Sequence, residues 1–240
     1  MLYFCKRTEM IRRLVMKKVL IVMTNVPSYG DSNDATGLWL GEVTEFVEEL
    51  EKVGIEVDYT SPKGGYIPID PRSLKYVDNT IMNYYRSSDF IERALTNSLP
   101  ANAVDADAYD AIYYSGGHGV MWDFPNNPYL QRISERIYQN GGYITSVCHG
   151  IAGLFYLQDE QKQPLIAGRN ITGFTNGEEL LSGKVNQVPF SNERLAKEKG
   201  ANFEKKRPYK PFAIQDGQFI TGQNPFSPRQ VAELLIKNLR

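Results

Sequence analysis

A chain of 240 residues, 42% hydrophobic and 23% charged, carries enough apolar side chains to bury a large core, and a formal net charge of −1 gives no long-range attraction toward nucleic acid or an anionic lipid surface. No apolar run approaches the roughly 20 residues that span a bilayer, and the two cysteines, Cys5 and Cys148, are too far apart and too differently placed to form a disulfide framework. These features point to a globular, cytoplasmic protein of a reducing compartment, with no nucleic-acid or membrane partner.

Residues 1–15 hold five charged side chains among short apolar pieces, without the apolar core of a secretory signal, and read as a loose extension. Residues 16–240 read as a single α/β domain. A first strand is expected over 19–24, then a polar loop, a helix over 37–53 stopped by Gly54, and a second strand over 55–60. The turn-rich stretch 62–107, with a helix near 88–96, reads as an insertion: a small cap over the strand ends, or an ordinary surface excursion. A strand over 111–114 closed by Ser115-Gly-Gly-His-Gly119, a helix over 129–140 and a strand over 143–147 restore the alternation. Short strands over 170–174 and 218–221 and a helix over 228–239 complete the chain. The sole basic block, Lys205-Lys206-Arg207, reads as a solvated loop. Apolar strands separated by helices imply a doubly wound, mostly parallel sheet covered on both faces.

In such a sheet ligands bind beyond the carboxyl ends of the strands, and the chemically distinctive residues fall there. Cys148 stands at a turn between an apolar strand and a small-residue helix, with Ser146 and Gly150 leaving it room. The N–H groups of that helix are expected to lower its pKa and make it a nucleophile. The alternative is a buried structural thiol, for which the adjacent His149 has no use. His149 is the leading base, and an acid after Phe174, Glu178 or Glu179, can hold its ring.

Glu42 shares its helix with Glu45, Glu48 and Glu49, a run that ordinarily marks a solvated face. Trp39, Val43, Phe46 and Leu50 define the apolar stripe, and Glu42 lies nearest to it at the functional end, with Glu49 roughly 10 Å farther along the axis. Burial there would raise its pKa and let it donate to a thiolate; an ordinary boundary carboxylate is the alternative. His118, among glycines, reads as a loop histidine or a catalytic one. The N–H groups of Gly116 and Gly117 are candidates to bind a developing oxyanion.

No histidine follows residue 149, which excludes a papain-like or glutamine-amidotransferase triad. The chain has no H-E-x-x-H, no C-x-x-C, and neither a GxGxxG nor a Walker A loop, so no metal and no cofactor are expected.

Five ordered blocks carry a family resemblance: Thr36-Gly-Leu-Trp-Leu-Gly-Glu42, Ala111-Ile-Tyr-Tyr-Ser-Gly-Gly-His-Gly119, Ser146-Val-Cys-His-Gly150, Ile171-Thr-Gly-Phe-Thr-Asn-Gly-Glu-Glu179 and Asp216-Gly-Gln-Phe-Ile-Thr-Gly-Gln-Asn-Pro225. Together they resemble the ThiJ/PfpI superfamily, in the branch of glutathione-independent glyoxalases (glyoxalase III) and heat-shock holding chaperones. The resemblance implies a flavodoxin-like homodimer that converts methylglyoxal to lactate without a cofactor. It makes Cys148 the nucleophile, Glu42 its acidic partner and His149 the base; counting from Phe174 favours Glu179 over Glu178 as the triad acid. Some relatives hold zinc with two histidines and a glutamate, of which only His118 has a candidate counterpart. A holding chaperone and a protein deglycase or peptidase are the alternative activities.

Overall fold

The computed structural model describes residues 16–240; the expected loose extension, with Cys5, lies outside the described residues. In chain order the first half contains β1 (Lys18–Val22), α1 (Leu40–Glu51), β2 (Glu56–Ser61), α2 (Asn79–Arg86), α3 (Ser88–Phe90), β3 (Leu99–Pro100), β4 (Ala111–Tyr114), α4 (Val120–Asp123) and α5 (Pro128–Gln139). The second half adds β5 (Tyr143–Val147), a 3₁₀ helix (Cys148–Leu154), β6 (Asn170–Ile171), α6 (Asn176–Ser182), α7 (Asn192–Glu198), β7 (Asn202–Phe203), β8 (Ala213–Asp216), β9 (Phe219–Gly222) and α8 (Pro228–Leu239).

One seven-stranded sheet runs in the order β3-β2-β1-β4-β5-β9-β8, parallel except for β8, which pairs antiparallel with β9. Its central strands are buried on both faces, which is why they read as apolar runs rather than as alternating patterns. Val19 and Ile21 point into one core with Val43 and Phe46 of α1 and Val231 and Leu235 of α8. Leu20 and Val22 point into the other, with Leu130 and Ile133 of α5. This is the flavodoxin-like, doubly wound sandwich read from the sequence. Among the described residues no helix is long and apolar enough to cross a membrane.

The differences have local causes. α1 starts at Leu40 because Trp39 is extended and Gly37 sits at φ +151°, neither compatible with a continuing helix. Residues 91–96 widen into a π-helix rather than extending α3. The stretch 170–174 forms only the two-residue β6, paired with β7 outside the main sheet, because β9 already occupies the place beside β5. Phe174 is instead drawn to the site, its N–H bonded to the Cys148 carbonyl at 3.1 Å. The insertion does two things. Its β3 extends the sheet edge through Thr60 and Ser61, and a bridge between Leu38 and Ile69 draws the neighbouring segment over the carboxyl ends of the strands.

Candidate active site

β5 ends at Val147 in extended geometry, and Cys148 then adopts φ +56°, a conformation that non-glycine residues rarely hold. The reversal lifts the sulfur off the sheet. It is possible because Gly150 and Gly116 lack side chains: a Cβ at Gly150 would lie 2.1 Å from the Tyr114 carbonyl, and one at Gly116 would lie 2.6 Å from Glu42 Oε2 and 3.0 Å from Cys148 Cβ. From Cys148 onward the small-residue helix expected is a 3₁₀ helix.

Glu42, in the first turn of α1, is completely buried. Its Oε2 accepts the Gly116 N–H at 2.7 Å, and its backbone carbonyl accepts the Tyr113 hydroxyl at 2.8 Å. Oε1 has no hydrogen-bond partner of ordinary geometry among the described residues, although the Cys148 thiol lies near enough to perturb the carboxyl. Burial outweighs the opposing pull of Cys148 and Gly116 and pushes the Glu42 pKa up to about 8. At neutral pH the carboxyl holds a proton.

The lowered thiol pKa expected from the sequence does not hold in this resting arrangement. Burial first, and then the charge and hydrogen bonding of Glu42, push the Cys148 thiol well up; the His149 N–H opposes this and is outweighed. A thiolate and an ionised Glu42 cannot share so dry a space, so the thiolate needs Glu42 protonated beside it.

His149 is buried, with Nδ1 3.4 Å from Cys148 Sγ and Nε2 2.8 Å from Glu179 Oε2. Sequence adjacency therefore does not prevent direct contact with the sulfur. Glu178 faces elsewhere, accepting from the Tyr209 N–H at 2.8 Å and from Gln223 and Asn224, each at 2.9 Å, and closing the capping box of α6 with Thr175. Despite its burial, the two histidines hold the Glu179 carboxyl well below the usual range.

His118 stands in the turn between β4 and α4, as its glycine neighbours suggest, but it is not solvated. It is buried, its Nε2 lies 2.9 Å from Glu179 Oε1, its Nδ1 lies 3.0 Å from Arg72 Nη2, and its ring centroid is 4.0 Å from that of His149. Burial, with the neighbouring His149 next, lowers its pKa to about 3, so it stays neutral. Gly116 cannot serve as an oxyanion donor, because its N–H is committed to Glu42. The Gly117 N–H has no partner among the described residues and is free to receive an oxyanion; the His149 N–H, directed at the Cys148 sulfur in the resting state, is the second candidate.

These groups open onto a pocket of about 220 Å³ whose walls include Trp39, Arg72, Lys75, Tyr76, Phe174 and Tyr209. A larger groove of about 470 Å³ near the opposite ends of β1 and β2 holds no nucleophile, and its Lys18 and Arg93 are both paired with Asp58. Several pocket residues escape sequence reasoning. Trp39, which helical spacing assigns to the apolar stripe, is only half-buried and faces the pocket. Arg72 and Tyr76 come from the turn-rich insertion, where no periodicity marks them. His118, His149 and Glu179 bring ligand-type atoms within 4.8 Å of one another. An ionised Glu179 accepts, however, so the two ring nitrogens that face it are its donors and offer a cation no lone pair at those positions.

Comparison with known proteins agrees with this picture. The DJ-1/PfpI family matches residues 35–238. Glyoxalase 3 of Candida albicans is 34% identical over 92% of this chain and 98% of its own length. Glutathione-independent glyoxalase HSP31 of Saccharomyces cerevisiae is 33% identical over 93% and 98%. Among solved structures, Rapid Encystment Protein 24 KDa of Francisella tularensis superposes with a TM-score of 0.90 at 36% identity, covering 94% of this chain and 100% of its own. Glyoxalase III of Candida albicans superposes with a TM-score of 0.84 at 31% identity, covering 93% and 97%. Sequence blocks, fold and the turn that carries Cys148 lead to one assignment: this chain belongs to the DJ-1/PfpI family.

Proposed function

We propose that the protein is a glutathione-independent glyoxalase that converts methylglyoxal and water to lactate with Cys148 as nucleophile. One observation carries this reading: a strained, pocket-lining cysteine 3.4 Å from a histidine nitrogen, beside a buried carboxyl that stays protonated at neutral pH. The similarity to proteins named as glyoxalases over nearly the whole chain supports it.

His149 Nδ1 takes the thiol proton as the sulfur bonds to the aldehyde carbon, and Glu42 steadies the sulfur by donating through Oε1. The new oxyanion lies against the Gly117 and His149 N–H groups. His149 Nδ1 returns the thiol proton to the new oxyanion, then takes the proton from the former aldehyde carbon and passes it to the ketone oxygen, giving an enediol; the adjacent carbon is then protonated as the hydroxyl on the former aldehyde carbon gives up its proton. The product is a lactoyl thioester on Cys148. Water attacks that thioester, lactate leaves, and the thiol is restored, so one water is consumed and no electron acceptor is needed. Glu179 keeps the His149 ring turned with Nδ1 toward sulfur.

The enclosure of Cys148, 3% exposed, favours small dicarbonyls over protein substrates and so argues against a peptidase or deglycase. Exposed Leu180 and Leu181 near the pocket mouth favour, as a second reading, a holding chaperone whose activity survives Cys148→Ala. The homodimer and a cytoplasmic location belong to the same proposal; sedimentation and cell fractionation test them. The deciding experiment follows methylglyoxal loss and lactate formation without glutathione, for the wild type and Cys148→Ala. Lactate from the wild type and none from the variant is the expected result; equal turnover by both would overturn the proposal.

A further inference from the structure

We propose that Arg72 is a positioning residue that sets the tautomer of buried His118, keeping the His118, Glu179 and His149 cluster a proton-handling unit and denying it to transition-metal cations. The inference uses the assigned reaction for its catalytic consequence only; the tautomer and the cation affinity stand apart from it.

A guanidinium has donors and no acceptor. Arg72 Nη2 lies 3.0 Å from His118 Nδ1, so Nδ1 must be the accepting nitrogen. A neutral imidazole has one ring proton, which is therefore on Nε2, where it is donated to Glu179 Oε1 at 2.9 Å. Ser182 Oγ donates to the same oxygen at 2.9 Å. Glu179 Oε2 then takes the His149 Nε2 proton at 2.8 Å, which leaves His149 Nδ1 with a lone pair facing the Cys148 sulfur. The donor on the insertion thus fixes His118, and the carboxylate that His118 shares with His149 fixes the base.

The same chain of donors governs metal binding. The three candidate ligand atoms lie within 4.8 Å of one another, close to what a two-histidine, one-carboxylate site needs. Imidazole binds a metal only through a lone pair. For His118 Nε2 to present one, its proton would have to move to Nδ1, directly against the Arg72 guanidinium.

Arg72 is itself held firmly. Its Nε and Nη2 donate to Asp70 Oδ1 and Oδ2 at 3.0 and 2.5 Å. Asp70 is fully buried and also accepts the Thr36 hydroxyl at 3.0 Å and the Arg72 N–H at 2.9 Å. The guanidinium further lies over the Tyr29 ring, 5.3 Å from its centroid. A residue held on three sides can impose a tautomer on its neighbour.

The chain has only two histidines, so imidazole ¹⁵N spectra assign readily. The wild type is expected to show His118 protonated at Nε2 and unprotonated at Nδ1. Arg72→Gln offers an amide oxygen to Nδ1, and the proton is expected to move there. Zn²⁺ alone, titrated in a metal buffer, should then bind at least tenfold more tightly than to the wild type and inhibit methylglyoxal turnover in parallel. Arg72→Lys keeps a donor and should behave as the wild type in both readouts; His118→Ala added to Arg72→Gln should abolish the gain in zinc affinity. Nδ1 protonation in the wild type, or an unchanged tautomer or zinc affinity in Arg72→Gln, overturns the proposal. If methylglyoxal is not a substrate, the spectra and the zinc titration still decide it.

Discussion

The Gly116 N–H is held by Glu42 Oε2 at 2.7 Å, while Glu42 Oε1 is left with no ordinary partner in a fully buried setting. A proton on Oε1 resolves that imbalance by giving the carboxyl something to donate to the sulfur. Glu42→Gln keeps the shape, with an amide oxygen for Gly116 and an N–H for the sulfur, but it cannot exchange a proton. Turnover is expected to fall by about 10²-fold or more with the fold retained, as read by kcat and by circular dichroism.

The same carboxyl makes stability depend on pH. Its pKa rises from 4.5 in the unfolded chain to about 8 in the native protein, so the native state binds the extra proton between those values. The contribution is fully present below 4.5 and is lost as pH rises through about 8. The slope from this group approaches about 1.4 kcal/mol per pH unit. Denaturant midpoints measured across that window should flatten in Glu42→Gln relative to the wild type; an identical pH dependence would remove the buried acid from the account. Activity should also decline above about pH 8 as the thiolate loses its donor.

Glu178 and Glu179 are neighbours in sequence with separate roles in space. Glu179→Gln leaves two histidine donors facing an amide that can accept only one of them, and kcat is expected to drop about 10²- to 10⁴-fold. Glu178→Gln instead weakens acceptance from Tyr209, Gln223 and Asn224, a cost of about 2–4 kcal/mol, or roughly 5–15 °C in Tm, with kcat of the folded protein nearly unchanged. Reversal of the two phenotypes would refute the assignment.

The elements most legible in the sequence are those with both faces buried. β4 and β5 match their expected bounds to the residue because apolar runs bounded by glycine leave few alternatives. β8 escapes because its Gln215 and Asp216 lie on a half-exposed antiparallel edge that needs no apolar run. Cys148, His149 and Glu42 are visible because local spacing forces them to one end of the sheet. Arg72 and the burial of His118 are not. Both depend on the insertion folding back over the strand ends, a long-range event that no local pattern records. The sequence also overstates the helix dipole at Cys148: a short 3₁₀ turn in a dry cavity supplies too little to offset desolvation.

Two glycines in helical segments should respond in opposite ways to alanine. At Gly150 the new methyl would sit 2.1 Å from the Tyr114 carbonyl and 2.8 Å from that of Ser115, both backbone atoms that cannot yield without moving β4. Gly150→Ala is expected to cost about 3 kcal/mol or more and to displace Cys148. At Gly177, in α6, the nearest foreign atom would be Pro208 Cγ at 3.6 Å, an ordinary contact, and φ is not positive. Gly177→Ala should be neutral or stabilising by about 0.5–1 kcal/mol. Thermal melts of both variants test the contrast, and a stable, active Gly150→Ala would contradict the close packing around the cysteine.

The pocket also makes a statement about substrate size. Trp39 and Tyr76 stand with ring centroids 5.7 Å apart, and Phe174 and Tyr209 form the other aromatic wall at 6.1 Å. A space of about 220 Å³ between such walls exceeds what a methyl group fills. A phenyl group in place of that methyl would bury enough apolar surface to gain about 1.5–3 kcal/mol, or roughly 10- to 100-fold. Phenylglyoxal is therefore expected to show a KM at least about tenfold below that of methylglyoxal, with a comparable kcat. Tyr76, 57% exposed at the mouth, can be truncated without touching the reacting groups. Tyr76→Ala should raise the KM for phenylglyoxal and leave kcat for methylglyoxal unchanged. Equal KM values for the two substrates in the wild type would show that the aromatic walls do not meet the bound dicarbonyl.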